Sequence, residues 1–199
     1  MGDAAAKLVL ASSSPRRLEL LRQIDLPPDL VVAPEVDETP LPKELPRHYA
    51  RRLARLKAEA VAARLGEGPW YVVAGDTVVA VGRRILPKAE DEEQARWCLS
   101  LLSGRRHRVW GGVCVLRHDG CRSERVVETR VRFRRLSREH IEAYIASGEW
   151  RGKAGAYAIQ GRAAAFVPWI NGSYSNVVGL PLAEVAMMLE GLGYRRNTA

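Results

Sequence analysis

The chain has 199 residues, 47% of them hydrophobic and 27% charged, with a formal net charge of +8. Such apolar content excludes a disordered polyelectrolyte, and no apolar run approaches the roughly 18 to 20 residues needed to cross a bilayer, so no membrane association is expected. The N-terminus lacks the long apolar core of a signal peptide, which makes the cytoplasm the default location. Positive charge suits nucleic acid and polyphosphate substrates alike, but no zinc-finger spacing, RNP aromatic pattern or homeodomain-like helix is visible, so dedicated nucleic-acid binding is not expected. Cys98, Cys114 and Cys121 are odd in number, show no CxxC spacing, and read as buried or incidental thiols.

In chain order, Lys7-Leu8-Val9-Leu10-Ala11 reads as a short buried strand that breaks into Ser12-Ser13-Ser14 before a helix over Pro15–Ile24. Pro15 suits a first helical position, where its missing N–H needs no partner. The serine hydroxyls, the free helix N–H groups and the forks of Arg16 and Arg17 then form a natural phosphate site; a serine N-cap beside solvated arginines is the competing reading. Further strands are predicted at Asp29–Val32, Tyr71–Ala74 with Val78–Val81, Val109–Leu116 and Arg125–Phe133. Further helices are predicted at Pro46–Leu65, Asp91–Leu102, Ser137–Ser147 and Leu182–Leu192. The alternation indicates an α/β fold, a mixed twisted sheet with flanking helices. Pro34–Pro46 is the clearest loop and carries Glu35, Asp37 and Glu38. Asp119-Gly120 turns a long hairpin, and the small, glycine-rich run Arg151 to Asn176 suggests tight loops near a ligand.

Four places could carry chemistry. Gly75-Asp76-Thr77 follows Tyr71-Val72-Val73-Ala74 at what reads as a strand end, where a small hard carboxylate can hold Mg²⁺ or Mn²⁺ or act as a base, unless the triplet is only a β-turn. Lys57 and Lys88 are two of only five lysines, so a point charge is wanted there or they are ordinary solvated lysines. Gln160, between Ile159 and Gly161, offers a donor and an acceptor that match O4 and N3–H of uracil or thymine, or it caps a local turn. His107 and His140 fit no catalytic or metal spacing and read as packing or surface residues, so serine nucleophile chemistry lacks its partner.

These residues lie in blocks whose order resembles the Maf family of nucleoside triphosphate pyrophosphatases across almost the whole chain. LASSSPRRLELL is similar to the family's N-terminal signature, Val36-Asp37-Glu38 to its acidic loop, and ARLKAEAV to its lysine helix. GDTVV, ILPKAEDEEQA, LLSGRRHRVWGGV, VRFRRLS, YIASGEW, KAGAYAIQG and GSYSNVVGLPL follow in family order. The resemblance implies one Maf-like domain over 1–199, shaped like inosine triphosphate pyrophosphatases, with two lobes around a cleft, and a homodimer. It implies a nucleoside triphosphate substrate, a divalent metal (Mg²⁺ or Mn²⁺), and hydrolysis between the α and β phosphates. By position, Ser12, Ser14, Arg16 and Arg17 would hold phosphates, and Lys57 and Lys88 would add charge at the triphosphate. Asp76 would bind metal or activate water, Glu38 would be a second metal ligand, and Gln160 would read the base. Asp76-Thr77 with Gln160 is similar to the branch acting on dTTP and UTP, not the branch acting on 7-methyl-GTP. Three positions depart from the family: Gly152 stands in place of Asp before Lys153, Ala89 in place of Pro after Lys88, and Gly111 in place of Thr before Gly112. A non-enzymatic regulator of septum formation, and a house-cleaning pyrophosphatase for other modified nucleotides, are the alternatives the resemblance carries.

Overall fold

Uninterrupted apolar runs at Leu8–Ala11 and Tyr71–Ala74 can be buried on both faces only at the centre of a sheet, and that is where they lie. A computed structural model describes residues 6–195. In it, β1 (Lys7–Ala11) lies between β2 (Leu30–Val32) and β3 (Trp70–Val81), parallel to both, with α1 (Pro15–Gln23) as the β1–β2 crossover. The sheet continues antiparallel from β3 through β5 (Arg106–Arg117) and β6 (Arg122–Arg132) to β7 (Trp169–Asn171), while β4 (Arg84–Leu86) pairs with the end of β3. The α/β expectation is met by this seven-stranded mixed sheet.

Strand alternation divides the cores. Val9, Ala11, Val72, Ala74 and Cys114 face α2 (Pro46–Ala62). Leu8, Leu10, Val73, Val113 and Val115 face α1 and α6 (Leu182–Gly191). Farther along the sheet, Val79, Val109 and Val131 pack with α3 (Glu92–Leu102) and α4 (Arg138–Ala146). Local chemistry sets the helix starts. Asp91 accepts from the Gln94 N–H at 2.8 Å, and Ser137 and His140 cap each other reciprocally, which accounts for His140. His107 is buried in the α3/α4 core and bonded to the Tyr157 hydroxyl at 2.8 Å. Burial lowers its pKa to about 3, so it packs as a neutral ring. Cys98 and Cys114 are buried free thiols and Cys121 is exposed. No helix among the described residues is long and apolar enough to cross a membrane.

Two expectations are corrected. Gly75-Asp76-Thr77 is neither a strand end nor a turn but the middle of the twelve-residue β3. The strand that ends there is β1, whose last pairing is Ala11 with Ala74; β4 joins the same edge of β3 only from Val79. Asp76 and Thr77 therefore lie where the sheet opens beyond the C-terminal end of a parallel strand, a favoured place for a ligand crevice. The run Arg151 to Asn176 is not all loop. It contains a 3₁₀ turn at Arg162–Phe166, β7, and the start of α5 (Tyr174–Val178). These elements, like β4, are three to five residues long, too short for a periodic signal.

Candidate active site

Successive strand residues point to opposite faces, so β3 sends Asp76 toward α2 and Thr77 toward α1. On α2 the buried positions Ala50, Leu53, Ala54, Lys57, Ala58 and Val61 form one stripe, and Lys57 sits in it among small apolar residues. The helix approaches closely enough for Lys57 to reach the sheet because Gly112, the direct cross-strand partner of Asp76, has no side chain. A Cβ there would collide with the Ala50 carbonyl. Lys57 Nζ lies 2.6 Å from Asp76 Oδ1 and 2.7 Å from Glu38 Oε1, and Lys88 Nζ lies 2.7 Å from Glu38 Oε2. Lys57 and Asp76 are each 3% exposed, so an isolated charge at either would be costly and the pair is mutually required.

The acidic loop is pinned to the same helix. The Tyr49 hydroxyl donates to the Glu38 carbonyl, and Arg52 donates to Glu44 at 2.7 Å and to the Thr39 carbonyl at 3.0 Å. Burial works against the Glu38 carboxylate, but the ammonium groups of Lys57 and Lys88 outweigh it and hold its pKa at about 2. A depressed carboxylate stabilises the fold fully above its ordinary value of 4.5 and loses that contribution as pH falls through about 2. The urea midpoints of the wild type and Glu38→Gln should therefore differ by a constant amount above pH 4.5 and converge toward pH 2. A difference unchanged across that window would show that the lysines do not hold Glu38.

On the opposite face, Arg17 donates Nε–H to the Gly179 carbonyl at 3.0 Å, Nη1 to Ser12 Oγ at 3.2 Å, and Nη2 to Thr77 Oγ1 at 3.3 Å. Three of its five N–H groups thus tie β1, β3 and the end of α5 together, and the other two have no partner among the described residues. Burial, ahead of the opposing pull of Asp76 and Glu38, lowers its pKa. Arg16 has no hydrogen-bond or ion-pair partner among the described residues, and its pKa is lowered by burial and then by Arg17, a condition that an anion would relieve. Ser14 occupies the α1 N-cap position with Pro15 at N1, yet its hydroxyl makes no capping bond. Ser12 Oγ accepts from the Ser14 N–H at 3.1 Å, and its own O–H is left to donate.

Ser12, Ser14, Arg16, Arg17, Glu38, Lys57, Thr77, Lys88 and Gln160 all line one cleft of about 400 Å³. Asp76 stands immediately behind Lys57. Gln160 is at the third position of a turn closed by a 3.0 Å bond from the Gly161 N–H to the Ala158 carbonyl; its amide has no partner among the described residues. It does not cap the turn that carries it. Arg151, Lys153, Tyr157 and Val177 also line the cleft. Of these, Lys153 and Tyr157 stand in the KAGAYAIQG block and Val177 in GSYSNVVGLPL, but the sequence assigns none of them a role of its own. The cleft offers cations on two walls, two carboxylates converging on one ammonium, and a free amide, which together suit a polyanion bearing a hydrogen-bonding ring.

The carboxylates suit a hard divalent cation only in part. Among the described residues no group of three or more His, Cys, Asp or Glu could hold a metal. Asp76 and Glu38 alone fit an ion that keeps most of its coordination on phosphate oxygens and water, as Mg²⁺ does.

The sequence model of the family described as Maf-like protein matches residues 7–192. The dTTP/UTP pyrophosphatase of Paramagnetospirillum magneticum is 62% identical over 189 residues, covering 95% of this chain and 98% of that one. Those of Rhodospirillum rubrum and Mesorhizobium japonicum are 59% and 58% identical over 192 and 193 residues, covering 96% and 95% of this chain and 90% and 93% of theirs. A crystal structure of a nucleoside-triphosphatase, dITP/XTP pyrophosphatase, from Mycobacterium abscessus aligns at 19% identity with a TM-score of 0.42, covering 65% of this chain and 75% of that one. With a family model spanning nearly the whole chain and relatives this similar from end to end, the chain belongs to the Maf family.

Proposed function

We propose that the chain hydrolyses dTTP and UTP to the nucleoside monophosphate and pyrophosphate, with Asp76 as the base toward water. The observation that carries this reading is the buried Lys57 ammonium held between Asp76 and Glu38 in a cleft that the Gln160 amide also lines. The relatives' names support the substrates, and the cleft supports the chemistry.

The residues divide the task. Arg16, the two unspent N–H groups of Arg17, and the hydroxyls of Ser12 and Ser14 bind phosphate oxygens beside the α1 N-terminus. Lys57 and Lys88 oppose charge growing on the departing pyrophosphate, and Asp76 takes the proton of an attacking water. Thr77 keeps Arg17 aimed. Asp76 and Glu38 are the residues that would hold Mg²⁺ or Mn²⁺, which when bound neutralises phosphate charge. With only two carboxylates available, metal affinity depends on nucleotide. In an electron paramagnetic resonance titration, Mn²⁺ should bind saturably only with a non-hydrolysable dUTP analogue present; stoichiometric binding to the protein alone would contradict this assignment.

Gln160 pairs with O4 and N3–H of uracil or thymine. Gln160→Ala is expected to lower kcat/KM for dTTP and UTP about a hundredfold, consistent with the loss of a bidentate base contact, and to flatten the ranking among nucleotides while pyrophosphate inhibition persists. An unchanged ranking removes the base-reading role. Family resemblance extends the proposal to a homodimer.

A further inference from the structure

A glutamine is by itself a poor discriminator of pyrimidines. Turned over, the amide that matches O4 and N3–H of thymine would match N4–H and N3 of cytosine, so selectivity depends on where the backbone holds it relative to the other wall. The turn bearing Gln160 is held from outside at two points placed symmetrically about that residue. Two positions before it, the Ala158 N–H donates to the Tyr144 hydroxyl at 3.0 Å. Two positions after it, the Arg162 N–H donates to Glu149 Oε2 at 2.8 Å. Both acceptors come from one piece of chain, α4 and the turn after it. Tyr144 is 2% exposed, and Glu149 is oriented by its own N–H bonding Ser147 Oγ at 3.3 Å. Gly161 leaves room for this contact, since a Cβ there would overlap the Glu149 carboxylate. Neither acceptor lines the cleft.

We propose that Tyr144 and Glu149 are positioning residues for nucleotide selectivity, forming a two-point clamp that fixes the Gln160 turn against the cleft. This rests on the base-reading role of Gln160 proposed above. Glu149 is the better probe, because it is half-exposed and its loss leaves the core intact, whereas Tyr144→Phe strands a buried N–H.

The test compares kcat and KM for dTTP and dCTP in the wild type, Glu149→Ala, Glu149→Gln, Tyr144→Phe and Gln160→Ala, with inhibition by inorganic pyrophosphate measured alongside. Glu149→Ala and Tyr144→Phe should raise KM for dTTP and reduce the dTTP-over-dCTP preference by roughly ten- to a hundredfold, the scale of a one-ångström misplacement. Glu149→Gln keeps an acceptor for the Arg162 N–H and should restore most of the preference. Pyrophosphate inhibition should stay at the wild-type level in all of them. Unchanged preference in Glu149→Ala and Tyr144→Phe, with Gln160→Ala altered, overturns the clamp and leaves the base reader standing. Wild-type preference in Gln160→Ala overturns both. Pyrophosphate inhibition that weakens in step with the preference would make the two residues general supports of the fold, and would also overturn the clamp.

Discussion

Asp76→Asn is expected to lower turnover of dTTP and UTP by about a thousandfold or more, within the range of a lost general base, while the protein keeps its fold. The substitution preserves shape, and the amide oxygen can still accept from Lys57, which retains Glu38 as its second partner. What disappears is the capacity to take a proton and one of the two negative charges around a 3%-exposed ammonium. The stability cost should therefore be about 1 to 3 kcal/mol, below the 3 to 5 kcal/mol of a buried charge left wholly unpaired. Pyrophosphate release and a urea midpoint measured on one preparation separate the two effects. Wild-type turnover would take Asp76 out of the mechanism, and an unfolded variant would make the pair chiefly structural.

Replacement of Gly112 should do most damage to the fold without touching substrate. The added methyl of Gly112→Ala would meet the Ala50 carbonyl, backbone against backbone, where no rotamer change gives relief. Either α2 lifts from the sheet or β5 bends, at a cost of about 3 kcal/mol or more, since overpacking rigid groups lies at the upper end of such effects. Lys57 lies two helical turns beyond Ala50, so lifting the helix also draws its ammonium away from Asp76, and a shift near one ångström can cost about a hundredfold in rate. Gly66→Ala is the control, because nothing lies within 4 Å of a Cβ there. Equal urea midpoints and activities for the two variants would contradict the account of how α2 is seated.

The parts of this fold legible in sequence are the apolar runs and the long periodic helices. The Leu8–Ala11 and Tyr71–Ala74 runs read as strands, whereas the sequence leaves Lys57 open between a wanted point charge and a solvated lysine, and its burial between Asp76 and Glu38 emerges only when α2 is packed on the sheet. Pro15 correctly places the start of α1. The local pattern puts Asp76 at the tip of its own strand, whereas β3 runs on and its neighbour β1 stops; where a partner strand ends is a tertiary property that no local pattern encodes. The division of labour between the two arginines is likewise invisible in the string Arg16-Arg17. It follows from the helix face that turns Arg17 toward Thr77 and Gly179, residues distant in sequence, and leaves Arg16 without a partner among the described residues. Glu149 stands in the YIASGEW block, but nothing local in that block gives it a role, because its partner is a backbone N–H thirteen residues away.

The most direct test of the central claim is pyrophosphate release by the purified protein with Mg²⁺ or Mn²⁺, across dTTP, UTP, CTP, the purine triphosphates and 7-methyl-GTP. Release concentrated on dTTP and UTP, with the monophosphate as co-product, is the predicted result. No release from any of them, or a preference for a purine or 7-methyl-GTP, would contradict it.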